Sequence, residues 1–469
     1  MSSDIIIFPE ARYHLVGIGG MGMAPLALFL KQAGCVISGE DDNFHPRVHK
    51  LLISNGIEIS RKPDHTSLRG IVFSNAIPSA HPALQSGLSR EVPCIRRGEF
   101  LARLCRQFKT LVVAGSHGKT TTCGLIIHIL RRSGFSCNYI MGGLFACADE
   151  DPACFDSDSD WLVVEVDESD GSISEFEPEG TLLVNVDWDH PDYYSKWSNV
   201  LNVFNALVGR TREFLLYNKA CRNSCDLDFS QSPGRVYSFG TEADYQLAGF
   251  ENRRLQVGGN FRDWSMEVSF EEWFNAENAV AALAASHLLN CNFREEVLQT
   301  FNGIWRRQEI LYQGDGFRVM EDYGHHPTEI RNLLEAVGQK KGPLMVVFQP
   351  HRYSRTLQFN RQFADSLKLA DCLVILEVYG AGEAPIAGGT GLDLFNMCAC
   401  LFSSQALFYC QNGDSVLRRL KALDPDKGVL LFLGAGDIQS AAESYAHHLR
   451  VADRGLGLSA VRRPLSVLT

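Results

Sequence analysis

No stretch of this chain approaches the roughly 18 consecutive apolar residues of a membrane span, and the apolar run from Ile5 to Phe8 is too short for the core of a secretion signal. The sequence therefore predicts a cytoplasmic protein with no membrane insertion. It also has no C-x-x-C pair: the 14 cysteines are scattered, and the closest pairs are Cys221 with Cys225 and Cys398 with Cys400. A disulfide scaffold is not expected in so large a chain without a secretion signal, and most thiols should pack as small apolar groups. Positive charge is in deficit: 44 Lys and Arg against 55 Asp and Glu give a net charge of −11. That argues against broad nucleic-acid binding while allowing a local basic pocket. No internal repeat of solenoid period occurs. What is present is ample core material, 45% hydrophobic in 469 residues, enough for about three domains.

One segment carries the strongest signal. Thr110 to Ala114 reads as a short buried strand, Gly115-Ser116-His117-Gly118 as a tight turn, and Thr120 to Ser133 as a helix with apolar spacing at Leu125, Ile126, Ile129 and Leu130. Backbone N–H groups and the positive end of a helix dipole then face one point, an anion cradle. Lys119 adds a point charge there, Thr120 offers Mg²⁺ a hydroxyl, and Thr121 continues the motif. The common pattern has a glycine where this chain has Val113. A nucleoside triphosphate is the expected ligand.

A second glycine turn lies near the start. The strand His14–Ile18 leads into Gly17-Ile-Gly19-Gly20-Met21-Gly22 and then into a helix, the context of a dinucleotide-type loop. A strand at Cys35 to Ser38 ends in Gly39-Glu40-Asp-Asp, where such folds place an acid against a ribose. A further strand, Gly70 to Phe73, ends at the turn that opens with Ser74. By itself this reading leaves the nucleotide open.

Carboxylates cluster after later strands. Asp160 to Val166 is a buried strand that carries Glu165 and closes on Asp167-Glu-Ser-Asp170. Acids at the carboxyl end of a parallel strand face a ligand crevice, so Glu165 is a candidate Mg²⁺ ligand. The strand Gly180 to Val186 ends in Asp187-Trp-Asp-His190, and His190 could join a hard-ion site. Asn275 and Asn278 share a face of an alanine-rich helix, where amides can read an adenine edge or serve as ordinary first-turn residues. In the last third, Phe317 to Glu321 is a strand that closes on Asp322-Tyr323-Gly-His325-His, and Pro327 with Glu329 marks a helix start. Leu344 to Phe348 closes on Gln349-Pro-His351-Arg352-Tyr-Ser-Arg355, read as a loop whose two arginines could clamp a carboxylate or phosphate. The stretch from Arg454 on reads as a tail.

Taken together, G-S-H-G-K-T-T-T, E-V-D-E-S-D, D-W-D-H-P-D-Y-Y, N-A-E-N-A, R-R-Q, D-Y-G-H-H-P-T-E and P-H-R-Y-S-R-T resemble the Mur ligase family, in the family's order, from about His14 to Ile438. The resemblance implies an α/β chain in three domains: a Rossmann-like UDP-sugar domain over 1–108, a central P-loop ATPase domain over 109–305 and a Rossmann-like amino-acid domain over 306–469. It implies a monomer or homodimer that uses ATP and Mg²⁺ and acts on small molecules. The motifs are most similar to members that join L-alanine to the lactyl carboxylate of UDP-N-acetylmuramate through an acyl phosphate. The alternative is the recycling of murein tripeptide onto the same UDP-sugar, which Glu309 after the arginine pair resembles.

By the same resemblance Gly115 to Thr121 and Lys119 hold ATP phosphates, and Thr120, Glu165 and His190 hold the metal. Asn275 and Asn278 contact adenine, Arg306 or Arg307 a phosphate, and Asp322 the ribose. Gly19, Gly20, Met21, Gly22, Glu40 and Ser74 face the UDP-sugar. Tyr323, His325, His351, Arg352 and Arg355 surround the incoming alanine, and His325 or His351 could accept its proton. The sequence departs from the pattern at Ser116, usually threonine, and at Trp305, usually glycine. Many family members carry a carbamylated lysine near the metals, and Lys196, the one lysine between Pro191 and Arg210, does not match it. Two other classes compete: an NAD-dependent oxidoreductase, resting on Gly17 to Gly22, and a non-catalytic nucleotide-regulated protein. The first leaves the second glycine loop unexplained, and intact Lys119, Glu165, His190 and Arg352 argue against the second.

Overall fold

A computed structural model describes residues 6–455, apart from 8, 62–66, 192, 262, 339–341 and 403–404. The chain builds three β-sheets with helices against them, the three-domain α/β fold expected. The described residues fall into two compact units: one runs to Ile304, and the other holds the residues from Trp305 on together with a short stretch at His190. Among the described residues no helix is long and apolar enough to cross a membrane.

The first sheet is parallel throughout, in the order β3-β2-β1-β4-β5. Its strands are β1 (Arg12–Val16), β2 (Val36–Glu40), β3 (Glu58–Ile59), β4 (Leu68–Phe73) and β5 (Cys94–Arg96). Helices α1 (Met23–Gln32), α2 (Pro46–Ser54) and α3 (Pro82–Ser89) lie between its strands, and α4 (Arg97–Cys105) follows β5 and leads to the next sheet. Because β2 and β4 flank β1, the strand order reverses there, which opens a crevice beyond the carboxyl end of β1. That strand stops two residues before the expected Ile18. Gly17 turns at φ 83°, and the Gly17 and Ile18 amides both donate to the Glu40 carbonyl. A side chain disfavours that backbone conformation, so glycine ends the strand.

The second sheet, in the same unit, has ten strands in the order β15-β14-β13-β12-β11-β10-β6-β9-β7-β8. Its middle consists of β6 (Lys109–Ala114), β9 (Trp161–Glu165) and β10 (Gly180–Leu183), all parallel. On one side lie β7 (Asn138–Ile140) and β8 (Ala153–Cys154). On the other lie β11 (Phe214–Asn218), β12 (Arg235–Gly240), β13 (Tyr245–Glu251), β14 (Arg254–Gly259) and β15 (Trp264–Glu267). The last three are antiparallel. Helices α5 (Lys119–Arg132), α6 (Trp197–Val208) and α7 (Trp273–Leu288) complete this part. The long α7 packs on α5 and on the sheet, and its alanines 279, 281, 282, 284 and 285 are all fully buried. Small side chains there let the two helix backbones approach. Lys196, at the N-cap of α6, is exposed.

The third sheet has the order β16-β17-β21-β18-β19-β20. Its strands are β16 (Glu309–Gln313), β17 (Phe317–Asp322), β18 (Leu344–Phe348), β19 (Cys372–Leu376), β20 (Ala406–Cys410) and β21 (Gly428–Leu433), with only β16 antiparallel. Its helices are α8 (Pro327–Gly338), α9 (Tyr353–Leu367), α10 (Gly391–Leu401), α11 (Gly413–Leu423) and α12 (Ile438–Gly455). Two expectations are corrected here. Arg355 is not in a loop: α9 already starts at Tyr353, so Arg355 lies in its first turn and is buried. Arg454 continues α12, and the rest of the expected tail, from 456 on, lies outside the described residues.

Candidate functional site

The first glycine loop is held from both sides. The Gly19 amide donates to Asp41 Oδ2 at 2.9 Å. No side chain caps the start of α1 at Gly22, and a Cβ there would lie 2.9 Å from Arg97 Nη1. Ser74 hangs from the end of β1, its amide 3.1 Å from the Val16 carbonyl. Gly19, Gly20, Met21, Gly22 and Ser74 thus come together beyond the carboxyl end of the first sheet. Glu40 turns inward instead: it is 8% exposed, with Oε1 3.4 Å from His14 Nε2. Burial raises its pKa, against the pull of His81 and Arg61. The acid that grips the loop is its neighbour Asp41. Asp41 and Arg97 were missed in sequence, where adjacent acids and paired arginines look alike.

The second loop leaves β6 at Gly115, φ 137°, and enters α5 at Gly118, φ 75°. The β10 side braces it: His117 N donates to Asn185 Oδ1 at 2.8 Å, and Asp187 N donates to Ser116 Oγ at 2.8 Å. His117 Nε2 lies 3.3 Å from Asp187 Oδ2. A Cβ on Gly115 would sit 2.7 Å from the Asn185 carbonyl oxygen, backbone that cannot swing away. Gly115→Ala should therefore lose about 1–3 kcal/mol of stability from the strained φ alone and weaken nucleotide binding. A melting curve with and without ATP checks both, and an unchanged midpoint would contradict the strain.

Lys119 Nζ lies 2.9 Å from Glu168 Oε2 and 3.2 Å from the Ser116 carbonyl. Burial opposes its charge, but Glu168, Asp167 and Glu165 outweigh burial and raise its pKa, so the ammonium stays protonated. Glu168 is 2% exposed and its Oε1 has no hydrogen-bond partner. Sequence reading had weighed Glu165 in this motif and passed over Glu168, because only the fold turns it under Lys119. Glu165 accepts from Thr120 Oγ1 at 2.8 Å and from the Gly142 amide at 2.9 Å. Thr120 and Glu165 thus present two adjacent oxygens beside a helix N-terminus, a donor set suited to a hard divalent cation. Thr121 lies in the first turn of α5, which no side chain caps. Asn278 backs the loop, its Oδ1 3.0 Å from where a Gly118 Cβ would be, and its Nδ2 is 3.4 Å from Asn275 Oδ1. The acid loop also reaches the first domain: Arg97 lies 3.9 Å from Asp167, and Asn75 donates to Asp170 at 2.6 Å. His190, in the other unit, has the left-handed φ of 54°.

In the unit from Trp305 on, the loops after β17, β21 and β18 leave from neighbouring strand ends. Arg306 is buried: its Nε donates to Glu321 Oε1 at 2.6 Å and its Nη2 to the Gly434 carbonyl at 3.0 Å. Arg307 reaches Glu329 Oε1 at 3.5 Å. Both guanidiniums lie over the Tyr323 ring, at 5.0 and 5.3 Å. The turn that carries them is strained at two non-glycine residues, Arg306 at φ 58° and Gln308 at φ 45°. Asp322 is buried, which raises its pKa; it accepts from the Gln308 amide and side chain, both at 2.9 Å, and from the Gly324 amide at 2.7 Å.

Beside them the rings of Tyr323, His325, His351 and Tyr379 follow one another at 5.5–5.7 Å. Arg355 Nη1 lies 3.3 Å from His351 Nδ1. Arg352 takes φ 68° and its Nη1 pairs with Glu383 Oε1 at 3.2 Å, while Glu383 also accepts from Ser354 N and Oγ. Partial burial pushes Glu383 up, but the Ser354 and Arg352 contacts prevail and hold its pKa low. Glu321 and Glu383 were not singled out in the sequence, and Glu329 was read only as marking a helix start; each takes its place here through contacts with residues distant along the chain or one helical turn away.

Three family descriptions match the chain in succession: Mur ligase family, catalytic domain, over residues 12–109; Mur ligase middle domain, over 113–286; and Mur ligase, glutamate ligase domain, over 306–436. A UDP-N-acetylmuramate--L-alanine ligase of Rubrobacter xylanophilus is 32% identical over 450 residues, 92% of this chain and 98% of that protein. The protein of the same name from Mycolicibacterium smegmatis is 32% identical over 97% of this chain and 98% of its own length. Among solved structures, UDP-N-acetylmuramate-alanine ligase of Thermotoga maritima superposes with a TM-score of 0.76 at 24% identity, covering 94% of this chain and 99% of that one. A murein peptide ligase of Psychrobacter arcticus reaches 0.71 at 20% identity, covering 94% and 98%. At those identities both structures speak for the fold alone.

Proposed function

The chain belongs to the Mur ligase family, and from that premise we infer that it is an ATP-dependent ligase joining L-alanine to the lactyl carboxylate of UDP-N-acetylmuramate in peptidoglycan synthesis. The observation that carries this reading is the pairing, in one chain, of two glycine loops at the carboxyl ends of two sheets, in a sequence similar over nine-tenths of its length to ligases of that name. The recycling of murein tripeptide has weaker support, because the likeness to the Psychrobacter arcticus enzyme is one of fold.

A carboxylate is a poor acyl donor. Transfer of the ATP γ-phosphoryl group to it gives an acyl phosphate, which the alanine amine attacks, and phosphate leaves. Two anions must meet in the first step. Lys119 offsets their repulsion at the bridging phosphates, with the uncapped N-terminus of α5 beside it. Thr120, Glu165 and His190 are assigned to Mg²⁺, which when bound would screen the phosphate charge. Asn275 and Asn278 are assigned to adenine. Of the arginine pair we assign Arg307 to phosphate, since Arg306 is committed to Glu321 and a backbone carbonyl. Asp322 can serve a ribose only by sharing an oxygen that already accepts from Gln308 or Gly324. Gly19 to Gly22 with Ser74 are assigned to the UDP diphosphate, with Asp41 rather than Glu40 as the acid of that loop. Arg352 and Arg355 are assigned to the alanine carboxylate, beside Tyr323. We take the three domains as 1–108, 109–305 and 306–469, one for each sheet.

The test is phosphate release from ATP and Mg²⁺ with UDP-N-acetylmuramate, comparing L-alanine, glycine, L-serine and murein tripeptide. Release that needs both the sugar and L-alanine, with the amide product seen by mass, is expected. Release with tripeptide alone would transfer the chain to the recycling reaction.

A further inference from the structure

A further pair of glycines, Gly142 and Gly143, follows β7 and was not singled out in the sequence. β7 runs parallel to β9 with Ile140 beside Val164, so the chain leaves β7 level with Glu165, the last residue of β9. The Gly142 amide donates to Glu165 Oε2 at 2.9 Å, and Thr120 Oγ1 donates to Glu165 Oε1 at 2.8 Å. The carboxylate is thus held at both oxygens, one from the glycine segment and one from the first turn of α5, which sets its orientation. A hydroxyl that gives its proton to a carboxylate keeps its lone pairs for a cation.

Close contact, not backbone conformation, requires glycine at both positions. Neither takes a left-handed φ. A Cβ on Gly142 would lie 2.5 Å from Glu165 Cδ and 2.6 Å from each of its carboxylate oxygens. A Cβ on Gly143 would lie 2.7 Å from Thr120 Cγ2. Each glycine therefore bears on one of the two residues that supply the cation oxygens. The segment is also fixed further along. Phe145 is 1% exposed and bridges to Ile304, and the Ala146 amide donates to the Gly303 carbonyl at 2.9 Å. From the first domain, Arg47 Nη2 donates to the Phe145 carbonyl at 2.5 Å and to the Ala146 carbonyl at 3.2 Å. Arg47 lies in the first turn of α2, shortly after Asp41, which holds the Gly19 amide. One run of contacts leads from the first glycine loop to the oxygens beside the second.

We propose that residues 142–146 form a strap that positions the cation site: Gly142 and Gly143 hold Glu165 and Thr120 as a paired oxygen set for a hard divalent cation, and Arg47 anchors the strap to the first domain. The strap acts through Glu165 and Thr120, not on the cation itself. The proposal rests on the assignment of those two residues to Mg²⁺ in the ligase reading above.

The probe is Mn²⁺ alone, titrated into the full chain without nucleotide, with free Mn²⁺ read by electron paramagnetic resonance and a melting curve taken for each variant. Gly142→Ala should weaken Mn²⁺ binding about 10–100-fold, the usual loss when an outer partner of a metal ligand is changed, and Gly143→Ala should act in the same direction. Arg47→Ala adds no atom and should weaken binding several-fold, so it carries the test if Gly142→Ala does not fold. In the phosphate-release assay Gly142→Ala should need more Mg²⁺ for half-activation and recover most of its kcat at saturating Mg²⁺, which a damaged fold would not do. Gly180→Ala, where a Cβ meets the Phe214 ring at the start of β10, is the structural control: it should lower the melting midpoint and leave Mn²⁺ binding as in wild type. Wild-type Mn²⁺ affinity in Gly142→Ala or in Arg47→Ala overturns the proposal, as does an equal loss in Gly180→Ala. A wild type that takes up no Mn²⁺, or undiminished uptake in Glu165→Ala, removes the cation assignment itself and the proposal with it.

Discussion

Lys119→Ala loses phosphate release by about 10³-fold or more, while the UDP-sugar still binds. The size follows from charge: removing one preorganised cation or donor at a developing phosphate charge costs on the order of 10²–10⁵ in rate. Here the lysine also offsets Glu165, Asp167 and Glu168, which would otherwise confront the triphosphate. The sugar should be indifferent, because its loop is held by Asp41 and backed by Arg97 rather than by Lys119. Substitution also strands the buried Glu168, so a melting curve must accompany the assay. Lys119→Ala with Glu168→Gln relieves that buried charge and should restore stability without restoring turnover. Calorimetric titration with the UDP-sugar and a coupled phosphate assay decide the matter; wild-type turnover in Lys119→Ala would remove the phosphate-loop assignment.

Arg306→Ala should cost about 3–5 kcal/mol, the usual penalty for breaking a buried ion pair from one side. Glu321 is fully buried, its Oε1 bonds to Arg306, and its Oε2 has no hydrogen-bond partner. Without Arg306 the carboxylate has lost its cation, and the Gly434 and Gly436 carbonyls lose a donor. Burial already pushes the Glu321 carboxyl up to about 7 even with Arg306 beside it. The sign follows: a carboxyl whose folded pKa lies above its unfolded value contributes stability below the unfolded value and loses it as pH rises through the folded one. The variant should therefore be weakest above about pH 7 and recover towards pH 5. Calorimetry of the full chain at the two pH values measures this. An equal loss at both would mean that Glu321 is not the stranded group, and Glu321→Gln, which stays neutral, should remove the pH dependence.

Much of this was legible in order along the chain. A strand, a glycine turn and an amphipathic helix are local patterns, so the segments at Thr110–Arg132 and Gly17–Gln32 could be read from composition and period. The strands Phe214–Glu267 could not. They form the outer half of the second sheet, with β15 at its edge, and β12 to β15 have mixed faces with exposed positions that leave short, weak apolar runs. Arg355 was misread as a loop residue because Pro350 and two arginines look like a turn, whereas the helix begins as soon as Arg352 takes its left-handed φ.

Residue types and their spacing determined the chemistry: a lysine and a threonine after glycine turns, acids at strand ends, histidines and arginines after β17 and β18. These follow from the chain's own sequence because a turn conformation and a helix start are set within a few residues. Which acid answers which base was decided only by tertiary structure. Glu168 under Lys119, Glu321 against Arg306 and Asp41 in place of Glu40 all depend on hydrogen bonds made by groups whose distances the fold alone sets. Hydrogen bonds are short and directional, so a neighbour in sequence that points the other way, as Glu40 does, makes none of them.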